Sequence, residues 1–301
     1  MACRINASRI WTSRLMLEAQ AHEAPLFVTW TYKEEPDGRN LRKDQLSASI
    51  HRLRSAVARR DRGTVRFFAC GEYGDELGRP HYHGAIYGLK RTDLEPDAAR
   101  PGYLTSPIIK STWEGSHGPG QGVGGNVDAS LLTAESAAYI TGYVTKKLTT
   151  AGDPRLDGRE PEFALMSRRP GIGSVALPVL IEALNTSAGS LFMARHGDVP
   201  TAFQTAGRLL PLGPHLRGQL RLFFFGEETQ PQKAKDLANH AFCQNIWAHL
   251  PPMPVDSSSA QRLEAWFEAS AEARDAYLAS LRQKELKLKK KHSINQSRKK
   301  L

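Results

Sequence analysis

Apolar residues recur along this 301-residue chain with two different periods, and the period changes at clear breaks. "LFVTWTY" (Leu26–Tyr32) is β-branched and aromatic and reads as a buried strand. "EEPDGRN" interrupts it. Leu46, Ile50, Leu53 and Val57 then repeat at helical spacing, which predicts a helix over Leu41–Arg60 with Arg52, Arg54, Arg59 and Arg60 on its outer face. "VRFFAC" (Val65–Cys70) is a second strand, and "HYHGAIYG" (His81–Gly88) a third. The seven residues Gly74–Pro80 between them make a hairpin the economical connection. Residues 91–125 are punctuated by Pro, Gly and Ser, with one short apolar turn at Pro107–Trp113, and "GSHGPGQGVGGN" reads as a flexible loop. Helical spacing returns over Ala134–Thr149. "SRRPGIGS" (Ser167–Ser174) is a basic turn, and "VALPVLIEAL" after it is a further helix. Residues Met193–Pro254 offer no interpretable pattern. Leu263, Trp266, Phe267, Tyr277, Leu278 and Leu281 mark an amphipathic helix near the C-terminus. No repeats occur, and the order of elements does not alternate strand with helix. It predicts an α+β fold: a central antiparallel sheet with flanking helices, followed by a mainly helical C-terminal region.

Charge adds one feature. Of the formal +10, residues after Ser280 carry +8, nine Lys and Arg against Glu285 alone, which leaves about +2 for the rest. Such a tail suits a polyanion and equally suits solvation. Cys3, Cys70 and Cys243 lie far apart, form neither a zinc knuckle nor a disulfide framework, and point to a reducing compartment. The first residues lack the apolar core of a secretory leader, and no run approaches a membrane span, so a cytosolic protein is expected.

Two stretches carry candidate chemistry. In "GEYGDELGRPHYHGAIYG" (Gly71–Gly88), side chains of a strand alternate between faces, so His81 and His83 share one face and Tyr82 takes the other. Paired strands bring Glu72 to the same spot. Two imidazoles and one carboxylate would bind a divalent cation and leave coordination positions open. His-x-His by itself is also what an exposed strand face looks like. His117 in the glycine-rich loop competes with Glu72 for the third position. Gly84 marks a place where something approaches closely. The His-Glu-x-x-His pattern of zinc peptidases and the Gly-Lys-Ser/Thr ending of a phosphate-binding loop are both absent.

In "YITGYVTKKL", Tyr139 and Tyr143 stand four apart on one helical face, with Lys146 three further on, while Ile140, Val144 and Leu148 form a separate stripe suited to packing on the sheet. The alternative is a core helix with two tyrosines at its margin. Gly142 lowers helix stability by roughly 1 kcal/mol relative to alanine, which a helix tolerates where something must come near. A phenol with a pKa of about 10 is a poor nucleophile at neutral pH. A cation that polarises a phosphodiester, with a lysine favouring phenolate, makes its attack feasible. The product is a phosphotyrosine that conserves the bond energy for later rejoining, and two tyrosines permit two successive cleavages.

With these residues set out, "FVTWTY", "GEYGDELGRPHYH" and "YITGYVTKK" resemble three motifs of the replication initiation proteins of small single-stranded DNA phages of the Microviridae, gokushovirus type, within the HUH endonucleases. "EFALMSRRPGIGS" is similar to a further family segment. The resemblance covers roughly Leu26–Ser174. It implies a palm-like antiparallel sheet and a metal site of His81 and His83 with Glu72, holding Mg²⁺ or Mn²⁺. It implies that Tyr139 and Tyr143 are nucleophiles assisted by Lys146. The implied activity is a site-specific nick in origin DNA that leaves a 5′-phosphotyrosyl adduct and a 3′-OH primer for rolling-circle synthesis, followed by cutting and joining to release a circle. The implied organisation is a nicking domain over 1–190, an accessory mixed or helical region over 191–280, and a basic, disordered tail over 281–301. Host helicase and DNA polymerase are the expected partners, because no ATP-binding loop is present, and the expected location is the cytoplasm of an infected bacterium. A plasmid or transposon initiator would share this chemistry. A non-catalytic single-strand binder would instead stack bases on Tyr32, Tyr82 and Tyr87, and the basic helix face, "SRRPGIGS" and the tail are candidate backbone contacts under any of these readings.

Overall fold

The computed structural model describes residues 2–33, 39–61, 63–74, 78–98, 100–115, 124–146, 152–205 and 208–237, with further short pieces between 248 and 287. The chain divides into two compact units, one made of Asn6–Ala183 with Thr201–Leu216 and the other of Met1–Ile5, Leu184–Pro200 and Arg217–Leu301.

The first unit is built on a five-stranded antiparallel sheet in the order β6-β1-β3-β2-β7. Its strands are β1 (Ala24–Tyr32), β2 (Arg66–Tyr73), β3 (Pro80–Leu89), β6 (Gly124–Leu131) and β7 (Phe163–Met166). Two short strands, β4 (Glu95–Pro96) and β5 (Leu104–Thr105), pair with each other, as do β8 (Ala202–Thr205) and β9 (Arg208–Pro211). Helices cover both faces of the main sheet, as expected for α+β. On one face, α2 (Lys43–Asp61) buries Leu46, Ile50, Leu53 and Val57, the four residues whose spacing predicts it. They pack with Trp30, Tyr82 and Ile86, and with Ile109 and Trp113 of α3 (Pro107–Glu114). On the other face, Leu15 of α1 (Ala2–Ala19) and Ala137 and Ile140 of α4 (Ala134–Lys146) pack on Phe68, Cys70, Ala85 and Tyr87. α1 and α4 are also joined by hydroxyls: the side-chain oxygen of Thr141 lies 2.8 Å from that of Thr12 and 3.2 Å from that of Ser8.

Several elements depart from the sequence pattern. β2 runs on from Cys70 to Tyr73, because its last residues pair with Pro80 and His81 across the hairpin. The end of the glycine-rich stretch forms β6 rather than loop. Gly125 makes this possible: a Cβ there would lie 2.5 Å from the carbonyl carbon of Tyr32, closer than any side chain tolerates. The apolar turn at Pro107 is a full helix with proline in its first turn. α1, β7 and the β8–β9 hairpin are not foreseen by periodicity.

The second unit is mainly helical among its described residues, with α6 (Ser187–His196) and most of α7 (Gly213–Phe225). Buried Asp198 there accepts hydrogen bonds from Arg217 at 2.6 Å and from Arg221 at 2.8 and 2.7 Å. The residues expected to mark an amphipathic helix, Leu263, Trp266, Phe267, Tyr277, Leu278 and Leu281, lie outside the described residues, as does the tail from 288 onward. Among the described residues no single helix is long and apolar enough to cross a membrane.

Gly84 explains itself here. A Cβ would meet the ring of fully buried Trp30 at 2.9 Å and the Ala69 side chain at 3.1 Å, so the close approach is made by the core and not by a ligand. Gly84→Ala is expected to overpack this contact and destabilise the protein by about 1–3 kcal/mol. The measurement is the urea midpoint, which should fall with the slope of the transition unchanged.

Candidate metal centre and tyrosine helix

The hairpin register assembles the cluster. Glu72 on β2 is directly opposite His81 on β3, and Cys70 is opposite His83. Glu72, His81 and His83 therefore project from one face, two neighbouring strands wide, while Tyr82 points into the core beneath α2. The Nε2 atoms of His81 and His83 lie 2.9 and 3.0 Å from Glu72 Oε1, and one donor atom from each of the three residues falls within 4.8 Å of the others.

The second nitrogen of each imidazole is held as well. His81 Nδ1 is 3.0 Å from the carbonyl oxygen of Arg79. A carbonyl only accepts, so Nδ1 carries the proton and Nε2 is turned toward Glu72. His83 Nδ1 is 2.9 Å from the hydroxyl of Thr29 on β1, which lies opposite His83 in the sheet. Phe27 of β1 stacks on the His83 ring at 5.8 Å between centroids. Burial opposes ionisation of Glu72, but hydrogen bonds from both imidazoles outweigh it and hold the carboxyl below its usual range. Burial pushes His83 below the usual imidazole range, with Glu72 pulling against it. An ionised carboxylate beside a neutral buried imidazole is the pair of protonation states that ligation requires.

These residues fit a divalent cation. Two imidazoles and a carboxylate are a common donor set for such ions. The other oxygen, Glu72 Oε2, is buried without a hydrogen-bond partner among the described residues. An unsatisfied buried polar atom costs about 1–3 kcal/mol, and more when charged, which a cation at this point would offset. Cys70 is no part of the set. It is free and buried, and burial pushes its thiol well above the ordinary range, so it serves as packing.

Helix α4 crosses the same face. Ile140 is buried against the sheet, while Tyr139 is 42% exposed. The Tyr139 ring sits edge-on to His83 at 5.1 Å and to Phe27 at 6.2 Å. The structure thus brings Tyr139 together with His83, and through it with Glu72 and His81. The side chains of Tyr143 and Lys146 lie outside the described residues, as do those of Val144, Leu148 and His117. An added Cβ at Gly142 would meet nothing within 4 Å among the described residues, so no described protein group explains that glycine.

Other expectations are corrected. Tyr32, Tyr82 and Tyr87 cannot stack bases, because all three are buried in the core. The hydroxyls of Tyr32 and Tyr82 meet at 2.7 Å, and that of Tyr87 donates to the Leu15 carbonyl. The basic row of α2 lies over the face opposite the histidines. Within it, Arg54 donates to Val65 O and Ser167 Oγ, and Arg60 pairs with Asp93, so two of its four cations have structural work. Thr29 and Phe27 were not foreseen as parts of the centre. The available signal was strand alternation: Phe27, Thr29 and Thr31 share a face in "FVTWTY", and two of them are polar in an otherwise apolar run.

Residues 25–148 match the family model for replication-associated protein ORF2, a segment that includes Glu72, His81, His83, Tyr139, Tyr143 and Lys146. The chain is 28% identical over 168 residues to replication-associated protein VP4 of Bdellovibrio phage phiMH2K, which covers 50% of this chain and 48% of that protein. It is 33% identical over 159 residues to replication-associated protein ORF2 of Spiroplasma virus 4, covering 49% and 47%. It is 29% identical over 160 residues to replication-associated protein ORF4 of Chlamydia phage 1, covering 50% and 38%. The chain therefore spans about half the length, or less, of the curated relatives it matches. No solved structure matches.

The role of Thr29 is testable through the cation alone. Thr29→Val keeps the shape of the side chain and removes the hydroxyl that holds His83 Nδ1. Affinity for Mn²⁺, measured by titration calorimetry, is expected to fall about 10- to 100-fold, and Glu72→Gln is expected to fall further because a ligand charge is lost.

Proposed function

We propose that this chain, whose residues 25–148 carry the pattern of the phage replication-associated proteins, initiates replication of a small single-stranded DNA phage by nicking its origin and taking the cut strand onto a tyrosine. The observation that supports this most is the meeting of the Tyr139 ring with the cluster of Glu72, His81 and His83 on one face of the sheet. A phenol beside a set of cation ligands suits phosphodiester transfer, and does little for a protein that only binds DNA. The buried positions of Tyr32, Tyr82 and Tyr87 weigh against base stacking by those residues.

In the proposed step the Tyr139 oxygen attacks the scissile phosphorus. The O–P bond to tyrosine forms, the bond from phosphorus to the 3′-oxygen breaks, the phenolic proton passes to solvent, and the departing 3′-oxygen takes one up. No bond energy is lost, so the reverse reaction rejoins strands without ATP. Glu72, His81 and His83 would hold Mg²⁺ or Mn²⁺, which supplies positive charge at the phosphate oxygens. Thr29 and the Arg79 carbonyl orient the two imidazoles, and Phe27 fixes the plane of His83. Tyr143, one helical turn from Tyr139, is proposed as the second nucleophile, and Lys146 as the cation that favours phenolate. The nicking domain is proposed over 1–190, with 191–280 accessory and the basic tail over 281–301 a contact for the DNA backbone. Host helicase and polymerase would act on the exposed 3′-OH inside the infected bacterium.

The test uses single-stranded oligonucleotides tiling the cognate phage genome, incubated with protein and Mn²⁺ and run on a denaturing gel. One subset should give a protein–DNA adduct that survives denaturation, reduced in Tyr139→Phe and lost in Tyr139→Phe/Tyr143→Phe. His81→Ala should lose the adduct while retaining most salt-sensitive DNA binding. Binding without any adduct in the wild type would reject nicking.

A further inference from the structure

A second feature adjoins the centre. A cavity of about 750 Å³ opens beside His81 at the end of β1, where β3 and β6 begin and α3 passes. That size falls in the usual range of ligand clefts. Its cations are Lys33, Arg79 and Lys110, against the single carboxylate of Glu114, and the side chains of Thr31 and Asn126 add neutral hydrogen-bonding groups. Arg79 is braced by donating to the carbonyls of Tyr32 and Lys33, at 2.5 and 3.4 Å, which fixes its guanidinium at the rim. The close approach of Gly125 to Tyr32 and Lys33 forms one wall. Cations from three separate elements converge on a space that already contains a metal-ligand candidate, and an anion is what such a space takes.

We infer that this cavity seats the phosphodiester backbone of single-stranded DNA on the side of the cut that departs with the free 3′-hydroxyl. The inference rests on the proposed nicking step for its polarity and on the cavity for its ligand. Along the site face of β1, Phe27 lies beside Tyr139, Thr29 is level with His83, and Thr31 is level with His81 and lines the cavity. At about 3.4 Å per residue, Phe27 and Thr31 are roughly 14 Å apart. The phenol therefore stands at one end of the ligand cluster and the basic cavity at the other. Displacement at phosphorus keeps the attacking and leaving oxygens roughly in line. A phenol arriving from the Phe27 end sends the 3′-oxygen toward Thr31, Lys33 and Lys110. The strand that becomes covalently attached leaves on the Tyr139 side.

Two measurements test this. The first uses a short 5′-fluorescein-labelled oligo-dT and reads affinity by anisotropy between about 50 and 200 mM salt. Lys33→Gln/Lys110→Gln should weaken binding on the order of ten-fold and lower the salt slope by about 1.4, the value for two lost phosphate contacts on a single strand. Lys33→Arg/Lys110→Arg should restore both, and all variants should melt as the wild type does. An unchanged affinity and slope in the Gln variant would overturn the seat. The second places single uncharged methylphosphonate linkages on either side of the mapped cut. Those on the 3′-OH side should weaken the wild type and leave the Gln variant unaffected, whereas those on the other side should weaken both equally. The opposite pattern would overturn the polarity. If the wild type forms no adduct while the Gln variant still loses oligo-dT affinity, the nicking reading falls and the anion seat stands.

Discussion

The site depends on the register between β2 and β3. Opposite pairing of Glu72 with His81 is what brings a carboxylate from one strand to two imidazoles on the next. Slipping that pairing by one residue would send Glu72 to the opposite face, among Trp30, Tyr82 and the leucines of α2, where an ionised carboxylate has no partner. The register is therefore held from behind. Gly84 lets Trp30 lie flat against Ala69, and the hydroxyls of Tyr32 and Tyr82 meet beneath the histidines. The apolar face does not touch the cluster's chemistry, yet it decides where the ligands point.

The opposite requirement applies to α4. Its apolar stripe must bind the sheet firmly enough to hold Tyr139 at His83, and its other side must stay accessible. Buried Ile140 next to half-exposed Tyr139 meets both needs in adjacent residues. A centre made of strand residues alone would be rigid but would lack a phenol at this height above the sheet. The helix supplies it from across the Phe27 ring.

Much of this was legible in the chain because it follows local rules. Strand alternation is enough to put His81 and His83 together, and helical spacing is enough to find the buried face of α2. What escaped was set by partners distant in sequence. β6 begins with "GGN", which reads as loop until β1 is available to pair with it and Gly125 permits the close approach. β7 is only four residues long and becomes a strand by adding to the edge of β2. Thr29 looks like one more β-branched residue of a buried strand, and its bond to His83 depends on which strand lies beside β1. The basic face of α2 misled for a similar reason. Arginines that look like free surface charge in sequence are partly spent on Val65, Ser167 and Asp93.

The hydroxyl contacts between α1 and α4 set a boundary on how small a working protein can be. Thr141 is fully buried two positions from Tyr139, and its oxygen is met by Ser8 and Thr12, which precede the segment shared with the phage proteins. A fragment trimmed to that shared segment would keep all the reactive groups and lose this clasp, leaving a buried hydroxyl stripped of those two oxygens and a helix no longer tied down beside its phenol. The recognisable stretch and the self-sufficient one are different lengths of chain.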